Sequence, residues 1–128
     1  MSETVEVKAC ELEGAALDWA VAVIEGYDLM KHPFRRAFIP NLGYCDYSPS
    51  TNWTFGGPLI QQFGCDLNCL APANAWEANC WDSAVPQPDL HICEGETPLI
   101  ATCRAIVRAK LGETINVPAE LISMGGTE

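Results

Sequence analysis

Thiols and imidazoles are the side chains best equipped for chemistry in this chain, and most of them fall between positions 65 and 93. Cys65 and Cys69 are four apart, Cys80 is eleven further on, and His91 and Cys93 share one side of an extended stretch. Zinc asks for four nitrogen or sulfur ligands in a tetrahedron. Cys65, Cys69, Cys80, His91 and Cys93 would supply them if three strands lay side by side. The spacing matches no zinc knuckle, and free cysteine also serves as a small core residue. Buried thiols are therefore the stronger expectation, and no metal is assigned. A cysteine nucleophile needs a histidine base and a lowered pKa. The histidines are His32 and His91, no cysteine sits at a marked helix start, and the best pair, His91 with Cys80, is weak. The sequence carries no Gly-rich phosphate loop after a strand, no serine elbow and no HExxH. It points away from catalysis, and no cofactor is expected.

Aromatic and basic residues suggest binding instead. Trp53 stands beside Asn52 at a helix start, next to Gly56-Gly57, where a ligand could approach the backbone closely. An exposed indole stacks on planar groups, and Arg104 has forked donors for an anion. Arg108 lies one helical turn further on. Lys31-His32-Pro33-Phe34-Arg35-Arg36 is the densest basic patch. A nucleotide-like ligand would stack on Trp53 beside Asn52 and meet Arg104 and Arg108, with Arg35 or Arg36 closing over it. The plainer reading is that Arg104 pairs with a nearby acid, Asp18 or Glu77, and that the basic patch is solvated charge on a loop.

The totals narrow the partners. In 128 residues, seven Lys and Arg oppose seventeen Asp and Glu, a net charge of −10. A surface so acidic repels phosphate backbones and anionic membranes. Direct nucleic-acid binding is not expected, although an acidic protein can imitate DNA toward a basic host protein. A homo-oligomer is compatible with the sequence. The start is acidic and unlike a secretory signal, and no apolar run approaches the ~20 residues of a membrane span. A cytosolic location in the host cell is the expectation, with the seven cysteines reduced. On that basis the glycosylation sequon Asn52-Trp53-Thr54 carries no weight.

The elements that must position these residues follow from periodicity and caps. Thr97 and Pro98 open a helix that Gly112 closes, with Leu99, Ile100, Cys103, Ile106, Val107 and Leu111 on its apolar face and Arg104 and Arg108 on another. Leu12, Ala15, Ala16, Trp19, Ala20, Val23 and Ile24 mark a helix over 11–25, stopped by Gly26. A third helix runs from Trp53 to Gln62, its first turns weakened by Gly56-Gly57-Pro58. Strands are expected at Thr4–Cys10, Cys65–Leu70, Ala75–Trp81 and Asp89–Cys93. Residues 27–50 read as a long loop with one strand near 37–39, and the tail is flexible from about 122. The prediction is a single α+β domain over 1–128: a small antiparallel sheet of three or four strands packed with about three helices.

Three stretches resemble a known family. Leu12-Glu13-Gly14-Ala15-Ala16-Leu17-Asp18-Trp19-Ala20-Val21-Ala22 is similar to the opening of the phage NinX-like proteins. Tyr47-Ser48-Pro49-Ser50-Thr51-Asn52-Trp53-Thr54-Phe55-Gly56-Gly57-Pro58-Leu59-Ile60 resembles their central motif, in which aspartate more often stands at position 52. Gly95-Glu96-Thr97-Pro98-Leu99-Ile100-Ala101 through Arg104, then Lys110-Leu111-Gly112 and Val117-Pro118, resembles their closing helix and tail. Residues 27–45 and the cysteines at 65, 69, 80 and 93 lie outside the pattern. The resemblance implies a phage or prophage accessory protein with helices on a small sheet, and no established activity. The resulting expectation is a non-enzymatic protein that binds a small anionic ligand or a host factor and counteracts host defence. The alternatives are an acidic interaction module or DNA mimic, and a zinc protein using the 65–93 cysteines.

Overall fold

Thr97 starts the central helix as its side chain predicts: its hydroxyl accepts from the Ile100 amide at 3.2 Å, and the helix runs Pro98–Leu111. The computed structural model describes residues 4–27, 36–39, 42–70, 75–81, 90–119 and 121, with the backbone alone at 36–38 and 44. In chain order these form β1 (Thr4–Lys8), a 3₁₀ turn (Ala9–Glu11), α1 (Gly14–Glu25), β2 (Arg36–Ile39), β3 (Gly43–Asp46), α2 (Trp53–Gln62), β4 (Asp66–Cys69), β5 (Trp76–Trp81), β6 (Leu90–Gly95), α3 (Pro98–Leu111) and β7 (Thr114–Pro118). The chain is a small α+β domain, as expected. Its strands, however, make an antiparallel meander β4-β5-β6 and two separate ribbons, β1-β7 and β2-β3.

The meander is amphipathic by alternation. Ala78 and Cys80 of β5 and Cys93 of β6 are buried, whereas Trp81, Leu90, Ile92 and Glu94 on the other face are exposed. Helix α3 lies on the buried face against β5 and β6, and its remaining sides meet α1, α2 and the 3₁₀ turn. It is therefore buried nearly all round. Ala101, Cys103, Ala105, Ile106 and Val107 are completely covered, and the row of alanines keeps the helix thin enough for neighbours to approach.

Several expectations are corrected. The 27–50 stretch contains a hairpin, with Phe38 opposite Tyr44, and Ile39 and Tyr47 enter the core. It lacks a long apolar alternation, which is why its sequence reads as loop. Helix α2 does run Trp53–Gln62 as expected, its first turn held despite Gly56-Gly57-Pro58 because Asn52 caps it by accepting from the Thr54 amide at 2.9 Å. The residues after Glu113 form β7, paired along the whole of β1 from Lys8 opposite Thr114 to Thr4 opposite Pro118. Leu121 is buried; the tail beyond it lies outside the described residues. Gly26 does close α1, in the left-handed region at φ 82°.

The reduced state expected of all seven cysteines is also corrected. Cys10 and Cys93 are joined by a disulfide, with Cα atoms 5.4 Å apart, because the 3₁₀ turn packs where β6 passes. Cys45, Cys65, Cys69, Cys80 and Cys103 stand outside the disulfide, as thiols.

Three buried acids keep their protons unusually well. The Cys65 thiol is pushed up first by its hydrogen bond with Cys80, then by burial; Cys103 is pushed up by burial and by the charge of Asp18. Burial, then Glu25, raises the Tyr47 phenol. An unfolded chain loses these protons near the ordinary values of 9.0 and 10.0, while the folded chain retains them. The stability they supply is complete below that range and falls as pH rises through it. Melting temperature is expected to drop more steeply above pH 9.0 in the native chain than in Cys65→Ala. Equal slopes would remove Cys65 from this account.

Candidate functional site

The turn Ser48-Pro49-Ser50-Thr51 is held between α1, through Asp18, and α2, through Gly56. Ser48 O accepts from the Thr51 and Asn52 amides at 3.1 and 2.8 Å, which curls the chain directly into α2. Beneath it, Tyr47 packs edge-on against Tyr27 and Phe55, with ring centroids 5.1 and 5.3 Å away. Asp18, the fifth residue of α1, is buried and accepts from the Ser50 amide at 2.9 Å. A carboxylate that accepts a backbone N–H in a half-dry site holds it firmly. That bond fixes the turn against the helix.

Between them lies a cavity of about 250 Å³, lined by Gly14, Ala15 and Asp18 of α1, Asp46 at the end of β3, and Ser48, Ser50 and Thr51. Among the described residues its lining is hydroxyl and carboxylate, with no Lys, Arg, His or Cys. Such a wall accepts hydrogen bonds from hydroxyl or amine groups and disfavours phosphate. The Ser50 hydroxyl is fully buried and has no hydrogen-bond partner among the described residues.

Close packing makes this turn sensitive. A Cβ on Gly56 would fall on the Pro49 carbonyl oxygen and 2.8 Å from Leu99 Cδ2. Backbone cannot rotate away, so Gly56→Ala is expected to destabilise by about 2 kcal/mol. At the neighbouring Gly57 the nearest atom, on the Trp53 ring, would be 3.4 Å away, an ordinary contact. Gly57→Ala should unfold near the native denaturant midpoint; similar losses in both variants would contradict the packing account.

Of the six residues expected to bind an anion, the four with described side chains, Asn52, Trp53, Arg104 and Arg108, are not among the residues lining this cavity. Asn52 and Trp53 adjoin it through Thr51; the Asn52 side chain is spent on capping α2, and Trp53 is 56% exposed. Arg104 donates from Nε to Leu12 O at 2.6 Å and from Nη1 to Glu94 O at 2.7 Å. It therefore pairs with neither Asp18 nor Glu77. Arg108 donates to Ile92 O at 3.1 Å and lies 4.0 Å from Glu113. Both arginines thus satisfy outward carbonyls of the edge strand β6, half-buried, and do not stand free on an outer face. Partial burial lowers the Arg104 pKa, against the raising influence of Glu13, Glu96 and Glu11. Arg35 lies outside the described residues. Arg36 opens β2, its backbone opposite Asp46.

The thiol and imidazole set is likewise divided. Cys65 and Cys80 adjoin each other, His91 is opposite Cys80 in the ladder, Cys69 is exposed on β4, and Cys93 is consumed by Cys10. Among the described residues no group of three or more His, Cys, Asp or Glu is placed to hold a metal ion.

Fold and cavity together define a small α+β protein with a hydroxyl- and carboxylate-lined cavity between a helix and a buried turn. The family model described as Bacteriophage P22, NinX matches residues 8–110 of the 128. The chain belongs to this family, which places it among phage accessory proteins. No curated protein matches it. The cavity residues Asp18, Ser48, Ser50 and Thr51 all lie inside the first two stretches quoted for the resemblance, although individually none was singled out as a site residue. The one available signal was Asp18, a carboxylate off the apolar stripe of α1 in a stretch otherwise rich in alanine. Among the described residues no helix is long and apolar enough to cross a membrane.

Proposed function

We infer that this phage accessory protein is a non-enzymatic binding protein, and that the cavity between α1 and the 46–51 segment receives the polar part of its ligand. The observation that carries this reading is the cavity itself, about 250 Å³ between two family-like stretches. That volume is just below the ~300–1,000 Å³ of pockets for drug-sized molecules, so it suits a sugar-sized group. Asp18, Asp46 and the hydroxyls of Ser48 and Thr51 favour a hydroxylated group over a phosphate. Trp53, two residues past Thr51, offers a ring for a planar group. A nucleoside has both parts, its ribose in the cavity and its base toward Trp53. The ligand's anionic groups, if present, would stay outside. Sequestering a host signal of this class would let a protein without catalytic machinery counteract a host defence.

The test is NMR titration of the full chain with ribose, adenosine and adenosine monophosphate. Shifts at the amides of Gly14, Ala15 and Thr51, weakened in Asp46→Asn and Thr51→Val, are expected, with adenosine stronger than ribose. Shifts confined to residues outside this set, or none with any of the three, would reject the site. Trp53→Ala should reduce adenosine binding to the level of ribose.

A further inference from the structure

The outer face of the meander β4-β5-β6 is uncovered by any described element and carries an unusual arrangement. Trp81, Leu90 and Ile92 are 50, 40 and 39% exposed. Trp81 is directly opposite Leu90, and Ile92 is the next residue on the same side of β6. The three make one apolar patch at one end of the face. Large apolar side chains scattered singly on a surface are ordinary, but a contiguous group rimmed by polar residues marks a contact surface.

Beyond the patch the face turns acidic. Glu77 and Glu94 are directly opposite each other, with Asp66 on the same face of β4. Like charges facing across a ladder destabilise it. Asn68 donates to Glu77 at 3.4 Å, but among the described residues neither glutamate has a basic partner. A cation placed between them from outside would convert repulsion into attraction. The same charges argue against a second copy of this chain as the occupant, because a symmetric dimer would bring two acidic faces together.

We propose that this face docks a basic segment of another protein, which sets an apolar side chain among Trp81, Leu90 and Ile92 and a lysine or arginine between Glu77 and Glu94. Glu94 is two residues from Ile92, and Glu77 four from Trp81, along extended strands. At ~3.3 Å per residue the cation and the anchor are roughly 7–13 Å apart. An extended peptide meets that span when the two side chains are two or four residues apart, on one side of its backbone. The surface shares no residue with the cavity discussed above, so either can fail without the other.

The probe is a short synthetic peptide with leucine, leucine, arginine and arginine at alternate positions and serine between them; its control replaces the arginines with glutamates. Binding to the full chain is read by calorimetry, with the Trp81 indole N–H followed by NMR. The arginine peptide is expected to bind and to move the Trp81 signal, and the control is expected not to bind. Trp81→Ser and the pair Glu77→Gln/Glu94→Gln should each weaken binding about tenfold, as anchors at interface centres do. Ile92→Thr gives a second test of the patch should Trp81→Ser fold poorly. Unchanged affinity in Ile92→Thr and the double glutamine variant, equal binding of the control peptide, or a concentration-dependent dimer abolished by Ile92→Thr would overturn the proposal.

Discussion

Reducing the Cys10–Cys93 disulfide is expected to lower the stability of the protein by roughly 4 kcal/mol, the largest single effect foreseen for this chain. The bond joins residues 83 apart in sequence. It ties the 3₁₀ turn after β1 to the edge strand β6, so in the unfolded chain it closes most of the polypeptide into one loop. A longer loop removes more conformational freedom from the unfolded state. Denaturant titration with and without a reductant measures the difference, and Cys10→Ser should match the reduced native chain. Alkylation of the unreduced, denatured protein should label the five cysteines outside the disulfide. Labelling of all seven cysteines would show that the bond does not form and remove this prediction.

Arg104→Ala is expected to cost roughly 3 kcal/mol, because two charge-assisted hydrogen bonds to backbone carbonyls are lost together. Nε and Nη1 of this one side chain reach Leu12 O and Glu94 O, joining the segment before α1 to the edge of the meander. Without it, both carbonyls must find water beside a packed helix. Arg104→Lys should recover only part of the loss, since a single ammonium on a flexible stem does not reproduce the rigid fork. Arg108→Ala should cost less, about 1 kcal/mol: its bond to Ile92 O is longer, at 3.1 Å, and Glu113 is 4.0 Å away and largely exposed. Chemical denaturation ranks the three variants. An Arg104→Ala protein as stable as the native chain would mean that this contact does not hold β6 in place.

The arginines illustrate how far local pattern reaches. Their separation of four residues on the helix from Thr97 to Gly112 is legible directly, and so are the cap, the proline at the first turn and the apolar stripe. What the Arg104 guanidinium touches depends on Leu12 and Glu94, 92 and 10 residues away, and what Arg108 touches depends on Ile92, 16 residues away; no helical period encodes that. The candidate site behaves the same way. Asp18 and Ser50 are separated by 32 positions; each stretch hints at the family, but their meeting around a cavity is visible only in space.

Amino-acid order alone therefore determined the elements whose cause is local: α1 with its glycine stop, α3 with both ends, and three successive strands joined as an antiparallel meander. It also determined the acidic surface, which follows from composition. Tertiary structure decided the rest: the pairing of β1 with β7, the hairpin within 36–46, the Cys10–Cys93 bond, the bonding of the arginines to β6, and the cavity beside the 48–51 turn. The physical reason is one of range. Caps and periodicity act within a turn or two of chain, whereas a ladder between termini, a cross-link or a cavity wall exists only once distant segments have been brought together by burying a common core.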